Sequence, residues 1–299
     1  MKKLIFTFAL FAAISLSGIE TMAQTTPPQP PVAKKNIKKQ VFHGENLDDD
    51  YFWLREKTDK EVISYLEAEN AYTDALMKGT EAFQEKLYQE MLARIKQTDT
   101  NVPYRQDGYY YYSRTETGKQ YPIYARKKGS LTAPEEITLD LNELARGLKY
   151  TAIAAYAVSD DSNLLAYSHD TTGFREYFLH IKDLRTGKLL PDDIGKVSAA
   201  FWADNKTLFY ITEDAAKRDY RLYRHTLGEP KEKDALVYEE KDELYNLSAR
   251  RSRSRQYIFI GSSSSNNTEY RYLRANKPAE PFKMIAARAG EHEYYPDHH

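Results

Sequence analysis

Residues 159–188, SDDSNLLAYSHDTTGFREYFLHIKDLRTGK, decide how this chain is read. A polar turn leads into the apolar run Leu164-Leu165-Ala166-Tyr167. A polar loop follows, then a second run, Tyr177-Phe178-Leu179-His180-Ile181, and the turn residues Asp183 to Gly187. Short aromatic and β-branched runs between turn signals predict two antiparallel strands. The same plan recurs three times. Tyr109 to Tyr112 precedes Tyr121 to Tyr124, Leu208 to Ile211 precedes Tyr220 to Tyr223, and Tyr257 to Ile260 precedes Tyr270 to Leu273. From the first residue of each leading run to the Tyr opening its partner is 12, 13, 12 and 13 residues, and successive units begin 55, 44 and 49 residues apart.

Repeats of about 40 to 50 residues with four strands each are the signature of a β-propeller. Ile137 to Leu139, Ala152 to Val158, Val197 to Trp202, Ala235 to Val237 and Leu244 to Leu247 fall where first or fourth strands of such blades would lie. The expected fold class is therefore mainly β, a partial β-propeller of four-stranded antiparallel blades behind an N-terminal helical segment. Its blades span 102–147, 150–195, 197–242 and 244–288, and 289–299 opens a fifth. Neighbouring blades cover both faces of the middle strands, which accounts for runs that are apolar throughout.

The 299 residues carry a net charge of −1 and a hydrophobic share of 41%, so no global field favours nucleic acid or an anionic membrane. Tyrosine occurs 25 times against 2 Trp and 12 Phe, which suits half-buried strands. There is no Cys, hence no disulfide framework and no thiol nucleophile. Residues 1–23 read as a cleavable signal peptide: Lys2 and Lys3, an apolar segment from Leu4 to Leu16, and Thr21-Met22-Ala23 before Gln24. The apolar segment is shorter than the roughly 20 residues that span a bilayer. A periplasmic or secreted mature chain is expected, with no membrane association after cleavage.

Residues 24–39 form a Pro-rich extended arm with the cations Lys34, Lys35, Lys38 and Lys39, read as a solvated lead-in. Residues 40–100 form the helical segment. Thr58 and Glu61 fit a capping box, Val62, Ile63, Leu66 and Tyr72 a helical stripe, and Gly79-Thr80 a stop followed by a new N-cap. Phe83, Leu87, Met91 and Ile95 recur every four residues on the second helix, a face that needs a partner surface.

The chemistry is sparse. Asp48, Asp49 and Asp50 are adjacent and share no face of a regular element, so they read as an exposed acidic turn before a buried Trp53. His292, Glu293, Asp297, His298 and His299 have no ligand spacing that selects zinc. Gly261 to Ser265 reads as a β-turn loop and not as a G-x-S-x-G elbow. Arg250 to Arg255 reads as an exposed turn equivalent to Asp160-Asp161, not a nucleic-acid patch. Asn205, Asn246 and Asn266 match the glycosylation pattern, which is unremarkable in a polar chain. No catalytic, cofactor-binding or metal-binding residue is assigned, and no cofactor is expected.

His43-Gly44, Leu47, Asp48, Tyr51 and Trp53-Leu54-Arg55, followed by Tyr65-Leu66-Glu67-Ala68-Glu69-Asn70, resemble the N-terminus of the prolyl oligopeptidase family of serine peptidases. His43-Gly44, Val237 to Asp242 and His292-Glu293-Tyr294 resemble its oligopeptidase B (protease II) branch. The resemblance implies a seven-bladed propeller that restricts access to an α/β-hydrolase domain, on which the helical segment packs. It implies hydrolysis of short peptides after basic residues by a Ser, Asp and His triad. About four of seven blades are present here, and no residue matches a catalytic motif, so none is carried over. Two readings follow. One is the N-terminal portion of an exported serine-type oligopeptidase whose partner is a missing hydrolase domain. The other is a stand-alone periplasmic propeller used for binding or assembly, which the exposed edges of an open sheet stack disfavour.

Overall fold

A computed structural model of the chain describes residues 28–299, so the signal-peptide reading lies outside the described residues. The chain divides into two compact units, up to Ile95 and from Lys96 to the end.

In the first unit a two-residue hairpin pairs β1 (Val41–Phe42) with β2 (Glu45–Asn46). Its turn is His43-Gly44, both at positive φ, 50° and 84°, as a type I′ turn requires. The arm is tied down while its lysines stay exposed to solvent. Lys38 bridges Asp49, Lys34 pairs with Glu61 at 3.1 Å, and Lys35 pairs with Asp50 at 2.9 Å. Trp53, half-buried rather than buried, donates to the Lys34 carbonyl at 2.9 Å. α1 (Lys60–Met77) starts from Asp59, whose carboxylate accepts from Glu61 N at 2.7 Å, so the Thr58 capping box does not form. Thr80 stands at the N-cap position of the next helix, as expected, but its side chain makes no capping bond. It has helical dihedrals and its hydroxyl donates back to Met77 O, because a 3₁₀ turn joins α1 directly to α2 (Glu81–Arg94). Phe83, Leu87, Met91 and Ile95 are all exposed.

The second unit contains four sheets. The first is β3 (Tyr104–Gln106), β4 (Tyr109–Arg114), β5 (Ile123–Lys128) and β6 (Glu135–Asp140), in that order. A one-turn helix, α3 (Leu141–Leu144), leads to a three-stranded sheet of β7 (Ala152–Val158), β8 (Leu164–Asp170) and β9 (Phe178–Asp183). The third is β10 (Ala199–Trp202), β11 (Thr207–Glu213), β12 (Asp219–Thr226) and β13 (Ala235–Glu239). The fourth is β14 (Asn246–Arg251), β15 (Tyr257–Ser263), β16 (Thr268–Arg274) and β17 (Lys283–Ala286). All pairings are antiparallel, and the four predicted hairpins are the central strand pairs, with Tyr112 opposite Ala125, Ala166 opposite Ile181, Tyr210 opposite Tyr223 and Ile260 opposite Arg271.

One apolar cluster fills each seam between successive sheets, and strand alternation assigns the residues. On β8, Leu165 and Tyr167 join Leu139 and Leu141 of the first sheet's end, whereas Leu164 and Ala166 join Trp202, Leu208 and Tyr210 of the third. On β11, Phe209 and Ile211 face the other way, to Leu247, Ile258 and Ile260 of the fourth. A strand buried on both faces must be apolar at every position, not every second one. Fully burying such a Leu or Phe contributes roughly 1.5–3 kcal/mol.

Two expectations differ. The second sheet lacks a full fourth strand; only Leu189 bridges Lys182 and Lys196 bridges Phe178, because Pro191 to Ile194 interrupt the edge. Residues 289–299 form no strand of a fifth blade. They fold back on the fourth sheet, where Thr268 N donates to His292 O and Tyr270 N to the Tyr294 hydroxyl.

Candidate functional site

In every sheet the turn after the first strand lies at one end, and the turn after the second lies at the other. At the first end four turns converge. The β3–β4 turn supplies Asp107, at φ 50° beside Gly108. The β7–β8 turn supplies Asp160 and Asp161, the β10–β11 turn Asn205, and the β14–β15 turn Arg255, with Arg251 at the end of β14. Arg251 binds Asp160 through two bonds, at 2.8 and 3.0 Å. Arg255 binds Asp107 through two more, at 2.8 and 2.5 Å, and reaches Asp160 at 3.1 Å. Asp161 N donates to Asn205 Oδ1 at 2.9 Å. Paired guanidinium–carboxylate bonds of this kind combine charge with fixed orientation.

This clasp joins the fourth sheet to the first and second, which are not its neighbours in the seam order. A cavity of about 500 Å³ adjoins it, lined by Asp160, Asp204, Arg251, Arg255, Tyr257 and Arg274. Burial opposes the charged form of Asp160, but bonds from Arg251 and Arg255 outweigh it and hold the carboxyl below the usual aspartate range. The Asp107 bonds in turn push Arg255 upward. Asp160 and Arg255 are therefore both charged at neutral pH.

The other end mixes ion-paired turns, with Lys119–Glu116, Lys196–Glu176 and Lys217–Glu213, and exposed apolar residues. Val102, which precedes β3, Leu148 and Tyr150 before β7, Phe174 between β8 and β9, and Leu244 before β14 are all exposed there. The Phe174 loop is held firmly: Asp170, wholly buried, accepts from Thr172 N and its hydroxyl and from Arg175 N, at 2.7–2.9 Å.

A third polar constellation locks the second sheet to the third. His225, 1% exposed, lies between Asp234 (Nδ1 to Oδ1, 2.7 Å) and Asp192 (Nε2 to Oδ1, 3.1 Å). Asp192 also accepts from Gly228 N, and Tyr210 donates to Asp234 at 2.9 Å. Asp192 belongs to the interruption that replaces the second sheet's fourth strand, so the broken edge is used to reach across the seam.

The residues weighed in the sequence have structural duties. Asp49 accepts from Tyr51 N, and Asp50 pairs with Lys35. His298 accepts Ser254 N at its carbonyl and its ring Nδ1 sits 2.9 Å from Ser254 Oγ, while Asp297 accepts from Arg253 N. Gly261 to Ser263 belong to β15 and not to a loop. Of the run Arg250 to Arg255, Arg251 and Arg255 are half-buried ion-pair partners rather than exposed turn residues. Sequence reasoning placed Asp160 and Arg255 in equivalent turns but missed their contact. Asp107-Gly108 was a visible turn signal; nothing local marked Asp192, His225 and Asp234 as one cluster.

Comparison with known proteins gives a consistent answer. The family model described as prolyl oligopeptidase, N-terminal beta-propeller domain, matches residues 30–299. Dipeptidyl aminopeptidase BI of Pseudoxanthomonas mexicana is 41% identical, over 92% of this chain and 40% of its own. Protease 2 of Moraxella lacunata is 36% identical, over 86% and 39%. Among solved structures, oligopeptidase B from Leishmania major has a TM-score of 0.82 at 26% identity, covering 91% of this chain and 41% of that one. Oligopeptidase B from Trypanosoma brucei with covalently bound antipain has the same TM-score at 29% identity. The chain spans about 40% of the length of these relatives.

Proposed function

We propose, since this chain belongs to the prolyl oligopeptidase family as the N-terminal propeller portion of a peptidase, that its sheets govern the access of short peptides to a serine-type catalytic domain in the rest of the protein. The match over residues 30–299, with only about 40% of each relative's length spanned, carries this reading. The two ends support it. The exposed apolar residues at one end suit packing against a further domain of the same chain, and so does the exposed stripe Phe83, Leu87, Met91 and Ile95. A charged end closed by Arg–Asp pairs suits a filter that admits flexible peptides and turns away folded proteins. Cleavage after basic residues follows from the resemblance to oligopeptidase B. A second reading, release of dipeptides from a free N-terminus, is favoured by the 41% identity to a dipeptidyl aminopeptidase. Export is part of the proposal, with a mature chain starting at Gln24 in the periplasm.

The test is an assay of the complete protein, this chain together with its proposed catalytic domain, on fluorogenic peptides. One substrate carries Arg before the scissile bond and a blocked N-terminus; the other is a dipeptide amide with a free amine. Hydrolysis that a serine-directed fluorophosphonate abolishes is expected. Preference for the second substrate selects the dipeptidyl reading. Cleavage of folded proteins as fast as of peptides would overturn the filter. The 299 residues alone are expected to hydrolyse neither substrate, and activity of that chain would sink the assignment of the chemistry to another domain. Edman sequencing of the periplasmic protein tests export, with Gln24 as the expected first residue.

A further inference from the structure

Between the inner strands of the first two sheets lies a cavity of about 220 Å³ lined by Asn101, Val102, Tyr104, Tyr111, Tyr124 and Tyr156, among others. Its volume is below the roughly 300–1,000 Å³ of sites for whole small molecules, and it suits a single side chain. Two stacked pairs wall it: Tyr104 with Tyr111 at 5.6 Å and 21°, and Tyr124 with Tyr156 at 5.0 Å and 27°. Val102 is 91% exposed and Tyr104 52% exposed, so they form the rim, and Tyr111, only 2% exposed, lies at depth. The Tyr111 hydroxyl makes no well-aligned hydrogen bond among the described residues, although the Arg126 guanidinium stands close enough to act on it.

We propose that this cavity is a subsite for one neutral aromatic side chain of a peptide. Ring faces and edges offer the offset or edge-on contacts that a third aromatic ring takes up. Tyrosine cages also bind cations through their faces, but charge decides against that here. Arg126 is 4% exposed, pairs with Tyr111 across β4 and β5, and is held by Ser162 O and Glu136. Its guanidinium also stands close enough to the Tyr156 hydroxyl to act on it electrostatically. Arg126 is already paired with Glu136, and among the described residues no acidic one lines the cage, so an entering lysine or arginine would find no carboxylate to pair with, whereas a phenyl ring needs none. Burial pushes Tyr104, Tyr124 and Tyr156 all upward, so these three stay neutral.

That the side chain belongs to a peptide rests on the function proposed above; the cavity and its preference for a neutral ring do not. The experiment is ¹⁹F NMR of N-acetyl-4-fluorophenylalaninamide titrated with the purified chain. Saturable binding is expected, displaced by N-acetylphenylalaninamide and not by N-acetylargininamide. Tyr104→Ala removes a wall and Val102→Trp blocks the rim. Both sites are exposed, so the fold should persist, as circular dichroism will verify, and each is expected to weaken binding at least about tenfold. No binding, binding unaffected by both variants, or equal displacement by the arginine amide would overturn the proposal. The probe has no scissile peptide bond and needs no catalytic domain. Binding without peptidase activity of the complete protein would therefore refute the proposed function alone, and activity without binding would refute this subsite alone.

Discussion

A Cβ built on Gly261, in the middle of β15, would lie 2.6 Å from the Tyr270 ring and 2.9 Å from Ser248 Oγ. The ring packs directly over the backbone of its cross-strand partner, for Gly261 is paired with Tyr270. Gly261→Ala is expected to destabilise the chain by about 1–3 kcal/mol, the usual cost of overpacking, measured by urea denaturation; an unchanged midpoint would show that Tyr270 can move aside. Asp192 makes a second residue-scale case. Removing it strips Gly228 N of its acceptor and leaves His225 Nε2 without its partner, at a site where the side chains of His225 and Asp192 are 1% and 2% exposed. Asp192→Ala should cost about 3 kcal/mol, since breaking a buried pair leaves its partner stranded. Neither position was legible beforehand. The serine run after Gly261 has the composition of a turn, and the need for glycine there comes from an aromatic ring nine residues away. Asp192 stands in a Pro-Asp-Asp sequence that reads as a loop, and its partner lies 33 residues on.

Among the elements, the hairpins were the most legible. Their apolar runs are continuous because each central strand faces two seams, and that pattern is written in the residues themselves. Helix starts were less legible: Thr58 and Asp59 both suit an N-cap, and the carboxylate of Asp59 took the place. The turns were read correctly as turns while their joint construction stayed hidden, because an Arg–Asp pair 148 residues apart has no local signature. A double-mutant cycle on Asp107→Ala and Arg255→Ala should give a coupling of about 1 kcal/mol, modest because both groups are partly exposed, and it should shrink at high salt. The pH sign follows from Asp160. Its carboxyl is depressed in the folded state, so its stabilisation is fully present above the ordinary aspartate value of about 3.9 and is lost as pH falls through the lower folded value. Thermal melts of Asp160→Asn and the parent chain should therefore differ at pH 7 and converge in strong acid; a constant difference would contradict the charge assignment.

For the whole molecule, the distribution of apolar surface carries the most consequence. Phe83 at 62% and Met91 at 59% exposure stand on a helix with no buried residue. Phe83→Gln with Met91→Gln should leave the melting temperature of the chain unchanged while reducing its self-association in sedimentation velocity, because surface changes that touch no packed group stay within about 0.5 kcal/mol. A drop in stability would mean that the stripe is already packed within the chain. By itself, the sequence determined that this is a mainly β, blade-repeated chain with a helical lead, and its motifs placed it beside the prolyl oligopeptidases. Both conclusions rest on local information, namely strand-length apolar runs at a fixed spacing and short contiguous motifs. Only the tertiary structure decided which turns meet, that the second sheet gives up its fourth strand to reach His225, that residues 289–299 return to the fourth sheet, and that tyrosines from two sheets enclose a cavity. Those outcomes depend on pairings between residues far apart in the chain, and side-chain charge or size at one end of such a pair does not specify the other.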